Sequence, residues 1–504
     1  MSTLSAAAPG ARVALATERP LAKWGPLAAL LVLGAALRLS TLGLQSFWYD
    51  EAFTPVHVLH HGLAATMRSV AHTENSPPLW YLVAWLDVRV LGDGAVALRL
   101  PSALAGIGTI AVAWPIGEEL GGRLCALVSA ALVAVNPLFF WYSQEARTYA
   151  LFVLASALSL LFFLRARRLR TGRAMAAFAL SGALALLTHY FAVFLVVPMA
   201  ALLVAERATR RAALPAVGAL ACVGGALVPL LAAQGGHGTQ WIGRWALSSR
   251  LQAIPQYYLS GYSGAPLGHG IELLVALPIL AGVALGARRL LLSPEAQAAR
   301  LVAALAAVAM LAPILLAAVG ADYLAPRNLV GAMVPLTAVV AYLLVPGAGR
   351  AGFALAAVLA AGFLALCVDV DLSPRLQRGN WRGLARELAA GRRAAAITTV
   401  ELGGAPLQYY LPDLGVLPRH SRVAVAEIDE TGYSPLRPSA GRAPAPGFSL
   451  RARGSVDGLV FYRFVSPVLR TVSQARLRGH VITRARSVVL VGRAAHVTSA
   501  PARG

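Results

Sequence analysis

The sequence predicts an all-α polytopic membrane domain over residues 1–370, followed by a small extracytoplasmic α/β domain over residues 371–504. Of the 504 residues, 58% are hydrophobic and only 13% are charged, whereas soluble globular proteins carry about 25% charged residues. Apolar runs of about 20 residues recur from Trp24 to Asp369, and each can cross a hydrocarbon core about 30 Å thick. After residue 371, Pro and Arg become common and short strand-like runs replace the long apolar ones.

About eleven apolar runs are long enough to form membrane-spanning helices. They cover residues 25–43, 97–117, 124–141, 148–164, 174–188, 190–205, 213–233, 267–287, 301–320, 328–346 and 351–369. The run Leu79–Leu91 differs from these, because its 13 residues include Asp87 and Arg89 and are too few to span a bilayer. We predict an interfacial helix for this run.

The distribution of Lys and Arg between the loops orients the predicted helices. With a cytoplasmic N-terminus, the cytoplasmic segments hold sixteen Lys and Arg residues and the opposite loops hold six. The excess predicts a cytoplasmic N-terminus, a first outer loop over about residues 44–96 and an extracytoplasmic C-terminal domain.

This orientation places seven ionisable residues at the outer membrane surface, in four separate loops. They are Asp50, Glu51, Glu74, Glu145, Arg147, His189 and Arg327. Ionisable residues at membrane depth are costly and usually functional. We therefore expect these residues to form a single outward-facing site.

Three acidic residues lie in the first outer loop. Asp50 and Glu51 follow the first span, where a carboxylate suits a general base that accepts the proton of an attacking hydroxyl. A solvated acidic pair at the membrane interface is the alternative. Glu74 precedes Pro77 and Pro78, which fix an extended segment that would hold Glu74 near the headgroups for substrate binding. Its alternative is an ordinary loop-to-helix junction.

The other outer loops carry groups suited to a phosphate or a sugar, since a guanidinium matches phosphate oxygens and a carboxylate can accept hydrogen bonds from sugar hydroxyls. The candidates for binding the donor phosphate are Arg147, Arg327 and His189, and those for binding substrate, besides Glu74, are Glu145, Tyr149 and Tyr190. For Arg147 with Glu145, the alternative is an exposed ion pair of little energetic value. For His189 the alternative is a structural histidine, and for Arg327 it is an arginine that snorkels to the membrane interface.

Several other classes of function lack a signal. The net charge is +22, but no motif of a nucleic-acid reader accompanies it, so nucleic acid is not expected as a partner. No Gly-rich phosphate loop, HExxH motif or Cys/His cluster is present, and the three cysteines lie within apolar runs. A divalent cation stays open as a cofactor, because Glu74 and His189 can in principle share an ion.

Two regions outside these motifs have a clear local pattern. In the C-terminal domain, the runs AAAITTV, GLVFYRFV and SVVLVG predict strands, NWRGLARELAAG predicts an amphipathic helix, and segment 430–447 is predicted as a loop by its Pro and Gly content.

The outer loop 239–262 is rich in aromatic residues, among them Trp241, Trp245 and Tyr262. We expect this loop to pack against the lipid or the acceptor.

The order of these motifs resembles glycosyltransferase family 39 of the GT-C superfamily, which includes protein O-mannosyltransferases and lipid A aminoarabinose transferases. The resemblance covers about residues 25–370. The matching features are the acidic pair Asp50 and Glu51, the segment ENSPPLWY at 74–81, SQEARTYAL at 143–151, THYF at 188–191 and Arg327 ahead of a span that contains Pro335.

The resemblance implies a GT-C type catalytic domain that transfers a hexose or pentose, with inversion, from a polyprenyl-phosphate carrier. The reaction would take place at the outer face of a bacterial inner membrane, among membrane lipids, with a glycan, lipid or protein hydroxyl as acceptor. Asp50 would be the general base with Glu51 beside it at the catalytic centre, and Glu145 would be the second acidic loop residue. The alternative from another class is a membrane transporter or lipid flippase for cell-envelope intermediates, but transporters bind near the bilayer midplane and often contain internal repeats.

Overall fold

The computed structural model describes residues 20–261, 269–345, 349–389, 395–480, 482–492, 495 and 497–499. The predicted cytoplasmic segment before residue 20 and Tyr262 of the aromatic-rich loop lie outside these residues. The described part of the chain contains a helical domain followed by a domain built on one mixed β-sheet, as the sequence predicts.

The helical domain consists of fifteen α-helices within the described ranges. They are α1 (Pro20–Ser40), α2 (Tyr49–Phe53), α3 (Leu63–Thr73), α4 (Leu79–Leu91), α5 (Ala95–Val135), α6 (Pro137–Ser143), α7 (Tyr149–Leu169), α8 (Gly172–Thr188), α9 (Val193–Ala205), α10 (Arg210–Gln234), α11 (Leu247–Ser260), α12 (His269–Leu292), α13 (Gln297–Ala318), α14 (Met333–Leu344) and α15 (Gly349–Leu372). The predicted interfacial helix has the bounds of α4, and a 3₁₀-helix, Pro326–Ala332, leads into α14.

Two backbone features divide the long apolar stretch between residues 95 and 143. Gly121 and Gly122 interrupt α5, and Gly122 has a φ of +75° that a residue with a side chain rarely adopts. The interruption coincides with the predicted boundary between the second and third spans. At the other end of α5, the Asn136 side chain accepts hydrogen bonds from the backbone N–H groups of Leu138 and Phe139 and so caps α6.

Seven helical segments of the described chain are long and apolar enough to cross a membrane. They are Ala95–Val135, Tyr149–Leu169, Arg210–Gln234, Val275–Leu292, Pro294–Ala318, Pro326–Leu344 and Arg350–Leu372, and shorter apolar helices cover Trp24–Ser40, Gly172–Thr188 and Tyr190–Ala205. The all-α, multi-pass character of this domain is confirmed. The count of eleven spans stays a prediction.

The C-terminal domain is an α/β unit, as predicted. Its elements are α16 (Trp381–Ala389), β1 (Ala395–Val400), α17 (Gly404–Tyr410), β2 (Leu414–Val416), β3 (Ser421–Tyr433), β4 (Ser449–Val456), β5 (Leu459–Ser473), α18 (Gln474–Gly479), β6 (Ser487–Gly492) and β7 (Val497–Ser499). The strands lie in the order β2-β6-β1-β3-β5-β4, with β7 beside β3, and only β1 and β3 pair in parallel among them. The loop predicted over 430–447 is wrong for its first four residues, which complete β3.

The C-terminal domain packs against the first loop of the helical domain. The Ser46 hydroxyl donates to the carbonyl of Gly379 at 2.7 Å, and the Phe47 N–H donates to the Tyr410 hydroxyl oxygen at 2.8 Å. The Phe47 ring also contacts Tyr409, with ring centroids 4.8 Å apart. Because these contacts place the two segments on one side of the membrane, the chain between them must cross it an even number of times.

Candidate active site

Asp50 and Arg327 form a partly exposed ion pair where the loops of the helical domain meet. Arg327 Nη1 lies 2.7 Å from Asp50 Oδ2, and the two side chains are 18% and 19% exposed. Asp50 is in the first turn of α2, and Arg327 follows Pro326 at the start of a 3₁₀-helix. The guanidinium also lies 5.1 Å from the Trp241 ring and 5.8 Å from the Tyr149 ring. This pair is therefore a charged site with partial access to solvent.

Arg147 and Glu74 form a second ion pair that is largely buried. Arg147 Nη2 lies 3.2 Å from Glu74 Oε2, and the Tyr81 hydroxyl donates to the same oxygen at 2.6 Å. Arg147 Nη1 also donates to the backbone carbonyl of Asp50 at 3.3 Å. Although burial lowers the pKa of Arg147, the Glu74 carboxylate, together with smaller contributions from Tyr81 and Asp50, raises it well above the ordinary value. Arg147 is thus a fixed cation that joins the loop of Glu74 to the backbone at Asp50.

Glu51, the neighbour of Asp50, is completely buried. Its two carboxylate oxygens each accept a 2.7 Å hydrogen bond from Arg99, and the N–H of Ala146 donates to one of them at 2.9 Å. Burial raises the pKa of Glu51, but the charges of Arg99 and Arg378 and the hydrogen bonds to the carboxylate together outweigh it, and the net shift is downward. The carboxylate is therefore ionised and enclosed, without the solvent access expected of either a catalytic base or a solvated acidic pair.

Glu145 is also buried, and its cationic partner comes from the connection to the C-terminal domain. Arg378 Nη2 lies 3.1 Å from Glu145 Oε2. Burial raises the pKa of Glu145 to about 7, and the charge of Arg378 limits the rise. Since the side chain is only 1% exposed, the position of Glu145 does not match direct binding of sugar hydroxyls, the role expected from the sequence.

His189 and Tyr190 lie beside the ion pairs but have contacts within the protein. The Phe191 N–H donates to His189 Nδ1 at 3.2 Å, and the imidazole stacks on Phe152 with ring centroids 4.6 Å apart. Burial is the main cause that lowers the pKa of His189, and the charges of Arg327 and Arg147 lower it further. The pKa is about 3, so the imidazole is neutral. The Tyr190 hydroxyl donates to the side chain of Gln234 at 2.7 Å. A neutral His189 adds no positive charge, and its ring also has a hydrogen bond with the Asn328 side chain.

The residues considered for a metal ion are occupied by protein contacts. Glu74 binds Arg147 and Tyr81, while His189 accepts a hydrogen bond at Nδ1. Within the described ranges, no group of three or more His, Cys, Asp or Glu side chains is arranged to hold a metal ion.

The structure brings together all seven ionisable residues predicted for the site and adds two that sequence reasoning missed, Arg99 and Arg378. Arg99 lies in an apolar run, where a charged residue is itself a signal of a buried partner. Arg378 precedes an amphipathic helix in an Arg-rich segment, and no local pattern distinguishes it from the exposed Arg375 and Arg386.

Comparisons with known proteins agree with this fold. Residues 75–232 match the family described as dolichyl-phosphate-mannose-protein mannosyltransferase, and a comparison with curated protein sequences gave no match. The chain is similar in structure to ArnT from Cupriavidus metallidurans in the apo state, with 12% identity and a TM-score of 0.56, over 88% of this chain and 98% of ArnT. ArnT bound to undecaprenyl phosphate matches with 13% identity and a TM-score of 0.54, over 87% and 98% of the two chains. The structural matches show that the chain has an ArnT-like fold, and the family match over residues 75–232 agrees with the resemblance expected from the sequence.

Proposed function

We propose that this protein is an inverting glycosyltransferase that moves a sugar from a polyprenyl-phosphate carrier to an acceptor hydroxyl at the outer face of a bacterial inner membrane. The observation that carries the proposal is the partly exposed pair of Asp50 and Arg327 in an ArnT-like fold. A base and a phosphate-binding cation are the two groups that this reaction needs, and here they are adjacent. The ArnT structure bound to undecaprenyl phosphate supports a carrier of that class.

Asp50 is the general base of the proposed reaction. The acceptor oxygen attacks the anomeric carbon of the donor sugar as the bond from that carbon to the phosphate oxygen breaks. The acceptor proton passes to Asp50, and the polyprenyl phosphate departs with the bonding electron pair. Attack from the side opposite the leaving group inverts the anomeric centre, and a phosphate leaving group needs no general acid.

Arg327 stabilises the departing phosphate in this proposal. A guanidinium presents N–H donors on three nitrogens and matches phosphate oxygens in a planar, bidentate geometry. One guanidinium can therefore contact Asp50 and the phosphate together and hold the base close to the anomeric carbon. Such preorganised positive charge stabilises the charge that develops on the leaving group.

Arg147, Glu51 and Glu74 support this pair without direct contact with substrate. The sequence makes Arg147 a candidate for binding the phosphate, but its terminal nitrogens bind Glu74 and the backbone of Asp50. It contributes positive potential and fixes the loop. Glu51 anchors the same loop through Arg99. We assign these three residues to positioning and keep Tyr149, which lies beside the Arg327 guanidinium, as a contact for the donor.

The position of the charged residues favours an enzyme over a transporter. Apart from Arg99, which lies near the start of α5, the paired charges of the site lie in the loops that precede and follow the spanning helices, and four of these loops supply them. A transporter typically binds its substrate near the midplane, between broken helices.

A transfer assay with defined products tests the proposal. Purified protein in lipid nanodiscs is incubated with a polyprenyl-phosphate sugar and an envelope extract that contains acceptors. We expect free polyprenyl phosphate and a glycosylated product whose new linkage, determined by NMR, has the anomeric configuration opposite to that of the donor. Retention of configuration would contradict direct displacement, and donor transport without product would favour the flippase alternative.

A further inference from the structure

Arg378 lies in the short connection between the last apolar helix, α15, and the first helix of the C-terminal domain, α16. Its side chain is buried, although Arg375, three positions earlier in the same connection, is exposed. Arg378 Nη2 lies 3.1 Å from Glu145 Oε2, and Nε lies 3.6 Å from Glu51 Oε2. One residue at the entrance to the C-terminal domain thus reaches two carboxylates beneath the candidate active site.

These contacts complete a cluster of four buried ionisable side chains, two arginines and two glutamates. Arg99 and Arg378 face Glu51 and Glu145, and each of the four side chains is at most 2% exposed. A charge removed from such a cluster leaves its partner uncompensated in a medium of low polarity, which is strongly unfavourable. The cluster therefore depends on Arg378 as much as on the residues of the helical domain.

The two carboxylates that Arg378 binds belong to the loops that present the reacting groups. Glu51 is adjacent to Asp50, and Glu145 is two positions before Arg147. The N–H of Ala146 donates to Glu51, so the two loops are also joined directly. A shift of either carboxylate would move Asp50 relative to its surroundings.

The geometry around Arg378 is specific for a guanidinium. Its Cζ atom lies 4.1 Å from the centre of the Trp141 ring, and its Nη1 and backbone N–H both donate to Gln45 Oε1, at 3.3 and 3.1 Å. A planar group that stacks on an aromatic ring while binding two carboxylates cannot be replaced by an ammonium with the same effect.

We infer that Arg378 is a positioning residue through which the C-terminal domain holds the Asp50 loop in its working geometry. The C-terminal domain is then a structural part of the active site and not a separate recognition module. This inference rests on the proposed transfer reaction, because it concerns the placement of the proposed base. A misplacement of about 1 Å, caused far from the reacting atoms, can reduce the rate about 100-fold.

Full-length variants at position 378 test the inference, with Arg375 as the matched control. For each variant, kcat is normalised to the number of sites that bind a polyprenyl-phosphate sugar. We expect Arg378→Lys and Arg378→Gln to lower this normalised kcat by about 10- to 100-fold. The KM for this donor should stay within about threefold, since Arg378 does not contact it. Arg375→Gln removes the same charge from the same connection and should behave as the wild type.

The result separates positioning from general stability. If the variants have fewer donor-binding sites but a normal kcat at each site, the inference is overturned and Arg378 has a purely structural role. Wild-type kcat in Arg378→Lys would overturn it too, while the proposed transfer reaction would stand. Absence of transfer by the wild type would overturn the proposed function, and the inference with it.

The double variant Arg378→Gln/Glu145→Gln, compared per donor-binding site with Arg378→Gln and Glu145→Gln, provides a second measurement. It removes one cation and one anion, so the cluster stays balanced between Arg99 and Glu51. We expect its kcat to exceed that predicted from the two single changes by at least about threefold, because contacting residues do not behave additively. Strict additivity would show that the contact between Arg378 and Glu145 does not control the loop.

Discussion

The guanidinium of Arg327 lies 2.7 Å from Oδ2 of Asp50, although 277 positions separate the two residues in the chain. The contact joins the first loop of the helical domain to the start of the segment that leads into α14. It places the proposed base beside the proposed phosphate ligand, while most other charged groups around them are buried and paired. Substitutions at the accessible pair should therefore affect turnover, and substitutions at the buried pairs should mainly affect stability.

Arg327→Ala should weaken both donor binding and turnover, and Arg327→Lys should be intermediate because an ammonium cannot make the bidentate contact with phosphate. Loss of a charge-assisted hydrogen bond costs about 1.5–3 kcal/mol, or roughly 10- to 150-fold in kcat/KM. Arg244→Ala is the control, since Arg244 is exposed in the neighbouring loop. Equal kinetics for Arg327→Ala and Arg244→Ala with a lipid-phosphate donor would remove Arg327 from the donor site.

Glu51→Gln should mainly lower stability, because it leaves the Arg99 guanidinium buried without its carboxylate. Breaking a buried ion pair costs about 3–5 kcal/mol, which a thermal unfolding experiment in detergent can detect. Asp50→Asn, at the adjacent position, should unfold near the wild-type temperature since its side chain is partly exposed. A Glu51→Gln protein as stable as Asp50→Asn would contradict the structural role of Glu51.

Glu145 should make the protein less stable as the pH rises towards neutrality. Its pKa is raised from 4.5 to about 7 in the folded protein, so the folded state binds the proton more tightly than the unfolded state. Its stabilising contribution is present below about pH 4.5 and is lost as the pH passes through about 7. The charged groups that face it are Arg378, Glu51, Asp50 and Arg327.

Unfolding temperatures measured between pH 4.5 and pH 7.5 test this linkage. The decrease in unfolding temperature that Glu145 causes as the pH rises should be absent from the Glu145→Gln variant, because its side chain cannot titrate. If wild type and Glu145→Gln follow the same curve over this range, the carboxyl of Glu145 does not titrate there.

The orientation predicted from the loop charges can be tested by cysteine labelling in a variant without native cysteines. An impermeant thiol reagent should modify Ser449→Cys, on the exposed β4 strand of the C-terminal domain, in intact spheroplasts. Arg168→Cys should react only after lysis, because the Arg-rich loop is predicted to be cytoplasmic. The opposite pattern would reverse the orientation and move the candidate site to the cytoplasmic side.

Local patterns were sufficient to predict much of the fold. Hydrophobic runs predict the bundle helices because each must be apolar over the thickness of a bilayer, and the bounds of α4 follow from its own apolar run. The amphipathic helix at Trp381 and the strands β1, β5 and β6 have equally local signals. The predicted loop over 430–447 fails at its start because β3 pairs with β5 through Tyr433, a contact that local composition does not encode.

The partners within the site could not be predicted in the same way. The charge distribution places Asp50, Arg147 and Arg327 on one face, but it does not indicate which partner each of the two arginines has. Only the packing of the loops decides that Arg147 binds Glu74 and that Arg327 stays accessible beside Asp50. The ion pair between Arg378 and Glu145 joins positions 233 residues apart and depends on how the C-terminal domain docks.

The role of Asp50 as the base is tested most directly by the rate of sugar transfer in Asp50→Asn, measured in a single turnover with donor bound. The amide keeps the size and polarity of the side chain but cannot accept the acceptor proton, so we expect a loss of about 10²–10⁴-fold with donor affinity within a few-fold of the wild type. Asp413→Asn, which changes an exposed acid in the C-terminal domain, should transfer at the wild-type rate. Transfer by Asp50→Asn at the rate of this control would contradict the account.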